Sequence, residues 1–230
     1  MIQVQAMPYT WPYDIGVAPE NLAILVIDMQ TDFCGPGGYI DSQGISLDNT
    51  RRAIEPIRSV LAAARQIPSL LVIHTREGHR PELVDLPEVK RFRSKRVCPG
   101  IGESGPCGRI LVRGEPGWEI IPELAPAPGE IVVDKPGKGA FFATDLEHIL
   151  RTTGRTHLVL CGITTDVCVH TTIREAGDRG FECLVLEDCT GATETDHHVA
   201  ALTMTTMQGG IFGCVSSSKE LVARLEVMHA

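Results

Sequence analysis

Several familiar signatures are missing from this sequence. No G-x-G-x-x-G follows the first apolar run, where "DMQTDFCGPGG" stands instead, and no G-x-x-x-x-G-K-[ST] occurs anywhere. Dinucleotide and P-loop readings therefore lose their phosphate-binding loops. No C-x-x-C pair is present, which removes the common zinc and thioredoxin-type patterns. No stretch reaches the roughly 20 apolar residues of a membrane span, and "MIQVQAMPYTWPYD" has no basic region followed by an apolar core. The expected compartment is the cytoplasm, where all eight cysteines stay thiols. Positive charge is also scarce: 21 Lys and Arg against 29 Asp and Glu give a net charge of -8. That balance argues against nucleic acid or a membrane surface as partner.

What is present points to a globular chain, 43% hydrophobic and 22% charged over 230 residues. A single domain over residues 1–230 is expected, because large α/β sheets often run to this length as one unit. The apolar runs are continuous rather than alternating: "LAILVID" (22–28), "LLVIHT" (70–75), "EIVVDK" (130–135), "HLVLCG" (157–162) and "CLVLED" (183–188). Strands covered on both faces read this way, as in parallel sheets. Helical patterns lie between them at 50–66, 144–154, 165–180, 196–210 and 217–227. Gly154, Gly180 and Gly209 stand at expected C-caps, and Thr165 or Asp166 at an expected N-cap. The order predicts an open, doubly wound, Rossmann-like α/β sheet. A Gly-, Pro- and Arg-rich interruption over about 76–129 reads as a lid or subunit contact.

Ligands of such sheets bind beyond the carboxyl ends of the strands. Asp28 ends the first run, Asp134 and Lys135 end the third, and "CGITTDVC" follows the fourth. Taken singly, each residue has an ordinary explanation as a turn cap, a solvated lysine or a small buried thiol. Together they describe a nucleophile. A thiol in the first turn of a helix, beside an ammonium, is expected to have a lowered pKa. The free N–H groups of the same turn can hold an oxyanion, and Asp28 can move protons. Cys161 lies within the strand and is expected to be inert, which leaves Cys168 as the candidate.

Through "VIDMQTDF", "DKPGKGAF" and "GITTDVCV", in this order and over nearly the whole chain, the sequence resembles the isochorismatase-like cysteine hydrolases. The resemblance implies a six-stranded parallel sheet, a homo-oligomer, often a tetramer, and a catalytic triad of Asp28, Lys135 and Cys168. It also implies a cis peptide between Ile163 and Thr164, and an oxyanion hole built from the Thr164 and Cys168 amides. The spacing to Ala140–Phe141 in the family selects Lys135 over Lys138. Lys138 then stands where many relatives carry an aromatic residue and is a candidate for substrate binding.

Within the family, "PYTWPYD", "HTREGHRPEL", "GPCGRILVRGEPGWEIIPEL" and "MQGGIFG" resemble the biuret hydrolases, which convert biuret to allophanate and ammonia. The implied substrate is a small ureide. Gln208 is expected to read an amide edge, and Phe33 and Phe141 to form pocket walls. Triuret hydrolases, ureidoacrylate amidohydrolases and, further off, nicotinamidase-type amidases are the alternatives. The basic run "KRFRSKR" could meet a carboxylate-bearing substrate, although such runs more often form a solvated surface. Nicotinamidases bind a metal through an Asp and histidines. Glu77 and His79 fall near two of those positions, but no histidine stands at a third, so neither metal nor other cofactor is expected. Glu77 and His79 then read as loop residues.

Overall fold

In the computed structural model, residues 1–229 are described. Six parallel strands form one sheet: β1 (Leu22–Ile27), β2 (Leu71–Glu77), β3 (Ile131–Lys135), β4 (His157–Ile163), β5 (Glu182–Gly191) and β6 (Cys214–Ser216), in the order β3-β2-β1-β4-β5-β6. The longer helices are α1 (Ile54–Ala64), α2 (Glu88–Ser94), α3 (Leu146–Thr152), α4 (His170–Asp178), α5 (Thr195–Gly210) and α6 (Ser218–His229). This is the doubly wound sheet expected from the run order.

The continuous apolar runs have a direct physical cause. Successive strand residues point to opposite faces, and both faces of β1 are covered. Leu22, Ile24 and Val26 pack in one cluster with Ile57 and Leu61 of α1 and Leu221 and Leu225 of α6. Ala23, Leu25 and Ile27 pack in the other with Leu146 and Leu150 of α3 and Ile173 of α4. Burying a Leu or Ile side chain of this kind contributes about 1.5–3 kcal/mol.

Three local features depart from the sequence expectation. The pattern at 50–66 is two helices, a turn at Asp48–Arg51 and then α1, with Pro56 in the first turn of α1, where a missing N–H costs little. The end of α5 leaves helical geometry at Met207, Gln208 and Gly209. Residues 2–17, to which the sequence assigned no element, form short bridges (Ile2 with Val17, Val4 with Trp11) and pair Met7 with Val215, covering the outer edge of β6.

The 76–129 interruption is built rather than loose. It contains α2 and a short antiparallel ribbon (Ser104–Gly105 with Gly108–Arg109). Leu86, Ile101, Ile110 and Leu111 form its own apolar cluster, against which Phe33 and Tyr39 pack. Buried Asp32, on the helical turn Thr31–Cys34 after β1, holds it in place by accepting the Leu111 amide at 2.8 Å. No helix among the described residues is long and apolar enough to cross a membrane.

Candidate active site

Strand order reverses between β1 and β4, and a crevice forms at the carboxyl edge of such a switch point. Four neighbouring strands each deliver one functional group to that edge. Lys135 ends β3, Glu77 ends β2, Asp28 follows β1, and the turn after β4 carries Thr164 and Cys168. Glu77 pairs directly with Lys135 in the β2–β3 register, which fixes both at one depth. Asp28 adopts a left-handed φ of 51°, a conformation that aspartate tolerates better than most residues. The Ile163–Thr164 peptide is cis.

The polar groups converge in a buried cluster. Lys135 Nζ lies 2.7 Å from Asp28 Oδ2 and 3.7 Å from Glu77 Oε2. Its directed hydrogen bonds go to the carbonyls of Gly137 (2.9 Å) and Lys138 (2.8 Å). Asp28 Oδ1 accepts the Thr75 hydroxyl at 2.6 Å, while Oδ2 accepts no directed hydrogen bond among the described residues. The Cys168 thiol donates to Glu77 Oε2 at 3.4 Å. Donor atoms of Asp28, Glu77 and Cys168 all lie within 4.8 Å of one another.

Glu77 is the hub that the sequence reading placed in a loop. Its strand was expected to stop at Thr75, but β2 runs two residues further, because Gln30 closes its end. The Gln30 amide side chain accepts the Glu77 N–H at 2.7 Å and donates to the carbonyls of Glu77 (3.0 Å) and Trp118 (2.8 Å). Glu77 Oε1 then receives Lys90 Nζ at 2.6 Å and Lys138 Nζ at 3.0 Å. Burial alone would raise its pKa, but Lys135, Lys138 and Lys90 together outweigh burial and hold the carboxyl well below its usual range. In the sequence Gln30 lies inside "VIDMQTDF" and Lys90 opens the basic run "KRFRSKR", a pattern typical of solvated surface. Neither carried a stronger local signal.

The thiol does not behave as expected. Burial pushes the Cys168 pKa well above its ordinary value; Lys135 pulls it down, but Asp28 and Glu77 add to the rise. The turn that carries it is also not the first turn of an α-helix. Thr165–Val169 is a π-helical turn, closed by Val169 N–H on Thr164 O at 3.1 Å, and α4 begins only at His170. Instead of capping the helix, Thr165 Oγ1 bonds His198 Nδ1 at 2.8 Å. The Thr164 amide donates to no backbone carbonyl among the described residues.

A cavity of about 240 Å³ opens onto this cluster, lined among others by Phe33, Tyr39, Lys138, Thr164, Val167 and Cys168. Phe33 and Lys138, both expected at the substrate, line this cavity. Phe141 does not: it is buried in the core, stacked on Phe181 at 5.8 Å, because the chain turns it under α3 and α4. Gln208 does not line the cavity either. Helix α5 starts beyond the carboxyl end of β5 and returns to the amino end of β6, so Gln208 lies exposed toward the opposite end of the strands from Cys168. His79 is buried beside β2, its Nδ1 3.5 Å from Asp85 Oδ1, and burial pushes its pKa down to about 4. Asp28, Glu77 and Cys168 are a poor metal donor set, since Lys135, Lys138 and Lys90 already neutralise the carboxylates.

The fold that carries this site has known counterparts. The isochorismatase domain matches residues 22–219. The chain belongs to the isochorismatase family. Within that family its fold is similar to a cysteine hydrolase from Pseudomonas syringae pv. phaseolicola, with 28% identity, a TM-score of 0.78, and coverage of 99% of this chain and 98% of the other. An isochorismatase-like hydrolase from Alkaliphilus metalliredigens aligns at 26% identity and TM-score 0.71, covering 88% and 98%. N-carbamoylsarcosine amidase from Thermoplasma acidophilum aligns at 26% and 0.66, covering 87% and 98%. The protein is a hydrolase of this family, of the cysteine-hydrolase type.

Proposed function

We propose that the protein is a cysteine amidohydrolase that cleaves a terminal C–N bond of a small ureide, converting biuret to allophanate and ammonia. The observation that carries this reading is a thiol lining a small cavity and within 4.8 Å of the Asp28 carboxylate, which is ion-paired with the Lys135 ammonium.

Cys168 Sγ attacks the terminal carbonyl as its proton passes to Asp28 Oδ2. The raised thiol pKa makes this concerted base assistance necessary, since little thiolate is present at rest. The carbonyl electron pair moves onto oxygen, where the Thr164 and Cys168 amides receive it. As the C–N bond breaks, Asp28 returns the proton to the departing nitrogen, releasing ammonia. A water then gives a proton to Asp28 and its hydroxyl to the thioester carbon. The C–S bond breaks as the carbonyl re-forms, and Asp28 returns its proton to the departing sulfur, restoring the thiol and the carboxylate. Lys135 acts electrostatically, and Phe33 and Lys138 contact the substrate. The homotetramer implied by the family resemblance belongs to the same proposal, with light scattering as its check.

An ammonia-release screen over biuret, triuret, ureidoacrylate and nicotinamide tests the substrate. Biuret is expected to give the highest kcat/KM. Preference for nicotinamide would overturn the ureide reading.

A further inference from the structure

The turn that carries the nucleophile is held by side chains at two points. After the cysteine, the Thr172 hydroxyl donates to the Cys168 carbonyl at 2.7 Å and accepts the Ala140 amide at 3.1 Å, which ties the turn to the loop beyond Lys135. Before the cysteine, the bond between Thr165 Oγ1 and His198 Nδ1 is the one side-chain hydrogen bond to residues 164–167 among the described residues. Asp166 makes none: its Oδ1 is buried without a partner, and its Oδ2 only approaches exposed His197 at 3.5 Å. Thr165 and His198 are both buried, and His198 comes from the first turn of α5. Burial, with Arg52 nearby, lowers its pKa to about 4, so the ring is neutral at pH 7.

This bond has a competitor in the chain itself. A threonine that opens a helix normally turns its oxygen onto the second or third amide that follows. For Thr165 those are the amides of Val167 and Cys168. Such a cap would start a regular α-helix and remove the one-residue expansion of the π turn. It would also occupy an amide next to, or part of, the oxyanion hole. Neither happens in the structure. Thr164 O accepts the Val167 and Val169 amides at 3.2 and 3.1 Å, bypassing that of Cys168, and Thr165 Oγ1 is bonded to His198 instead.

We propose that His198 is a positioning residue: by occupying Thr165 Oγ1 it holds the nucleophile turn in its π-helical form and keeps that oxygen from capping the Cys168 amide. The oxyanion role of the amide rests on the amidohydrolase reading, whereas the selection of the π turn does not.

The two partners should respond in opposite ways. An ordinary structural contact is lost equally from either side, but a cap that must be prevented needs its oxygen. His198→Phe keeps a flat ring without the nitrogen and is expected to lower kcat on the best ureide about tenfold with little change in KM. Thr165→Val removes the hydroxyl at nearly constant shape, and kcat should stay within about threefold of wild type. The double variant, with no oxygen to cap the turn, is expected to recover most of the loss seen in His198→Phe. His198→Asn, whose amide can replace Nδ1, should recover part of it. A double variant no faster than His198→Phe, or a Thr165→Val as slow as His198→Phe, overturns the proposal. A crystal structure of His198→Phe gives a readout that needs no substrate. Thr165 Oγ1 is expected about 3 Å from the Val167 or Cys168 amide, and an unchanged π turn overturns the proposal. Should His198→Phe fail to fold, the crystal structure of Thr165→Val decides by itself: loss of the π turn there counts against it. The two claims also fail separately. Biuret turnover with the π turn intact in His198→Phe defeats the positioning role alone, while a recapped turn in a protein that deaminates no ureide defeats the ureide reading alone.

Discussion

Glu77 shows how a single side chain can decide the state of a site. Its carboxylate accepts the Cys168 thiol and two ammonium groups and lies 3.7 Å from a third. Glu77→Gln would leave those ammoniums without their counter-charge, and breaking a buried pair costs about 3–5 kcal/mol. A loss near the lower end, about 3 kcal/mol, is expected in urea unfolding, because the Lys138 side chain is 46% exposed. Ammonia release should fall at least about tenfold with it. Unchanged stability and turnover would remove Glu77 from the hub. The thiol supplies a second test. With its pKa raised by burial, Cys168 should react slowly with limiting iodoacetamide at pH 7 and faster as pH rises, while exposed Cys98 is labelled first. Preferential labelling of Cys168 at pH 7 would mean a preformed thiolate.

At the scale of elements, the site depends on how closely β1 and β4 approach. Gly162 has φ 107°, and a Cβ there would collide with the carbonyl oxygen of Ile27, one residue before Asp28. Gly162→Ala is expected to cost about 3 kcal/mol or more, read as a lower urea midpoint, with activity lost as Asp28 shifts. A midpoint equal to wild type would contradict this account of the strand contact. The elements themselves were largely legible in the sequence. Runs such as "LAILVID" announced two-sided strands, and Gly154 and Gly180 have the positive φ expected of C-caps. The end of β2 was not legible, because Arg76 and Glu77 are polar and stay in the strand through Gln30, a residue 47 positions away. The π-helical turn at Thr165–Val169 was hidden for a similar reason, since its one-residue expansion leaves the local pattern almost unchanged.

For the whole molecule, topology converts distant motifs into one site. Asp28, Lys135 and Cys168 were readable because strand ends in this fold share an edge. Phe141 and Gln208 were misplaced because a motif cannot show which way a side chain turns or at which end a returning helix finishes. Charge acts at this scale too. Burial lowers the pKa of His79 and His198 from 6.5 to about 4, and also lowers His74, His157 and His170. Between those values the unfolded chain binds more protons, so stability falls as pH drops from about 6.5 toward 4. Asp32, raised by burial to about 6, and Glu182, also raised by burial, work in the opposite direction. Five histidines outweigh two acids, and each unmatched proton contributes a slope of about 1.4 kcal/mol per pH unit. Urea unfolding should show lower stability at pH 5 than at pH 7; equal stability would contradict the neutral, buried state of these histidines.

The central claim is that the Cys168 sulfur forms the bond to the substrate carbon. Its most direct test is the kcat/KM of Cys168→Ser on the best ureide from the screen, with circular dichroism to confirm folding. Serine keeps the shape but needs a far stronger base, so turnover is expected to fall by about a thousandfold or more. A folded serine variant that retains a tenth of wild-type activity would contradict the mechanism.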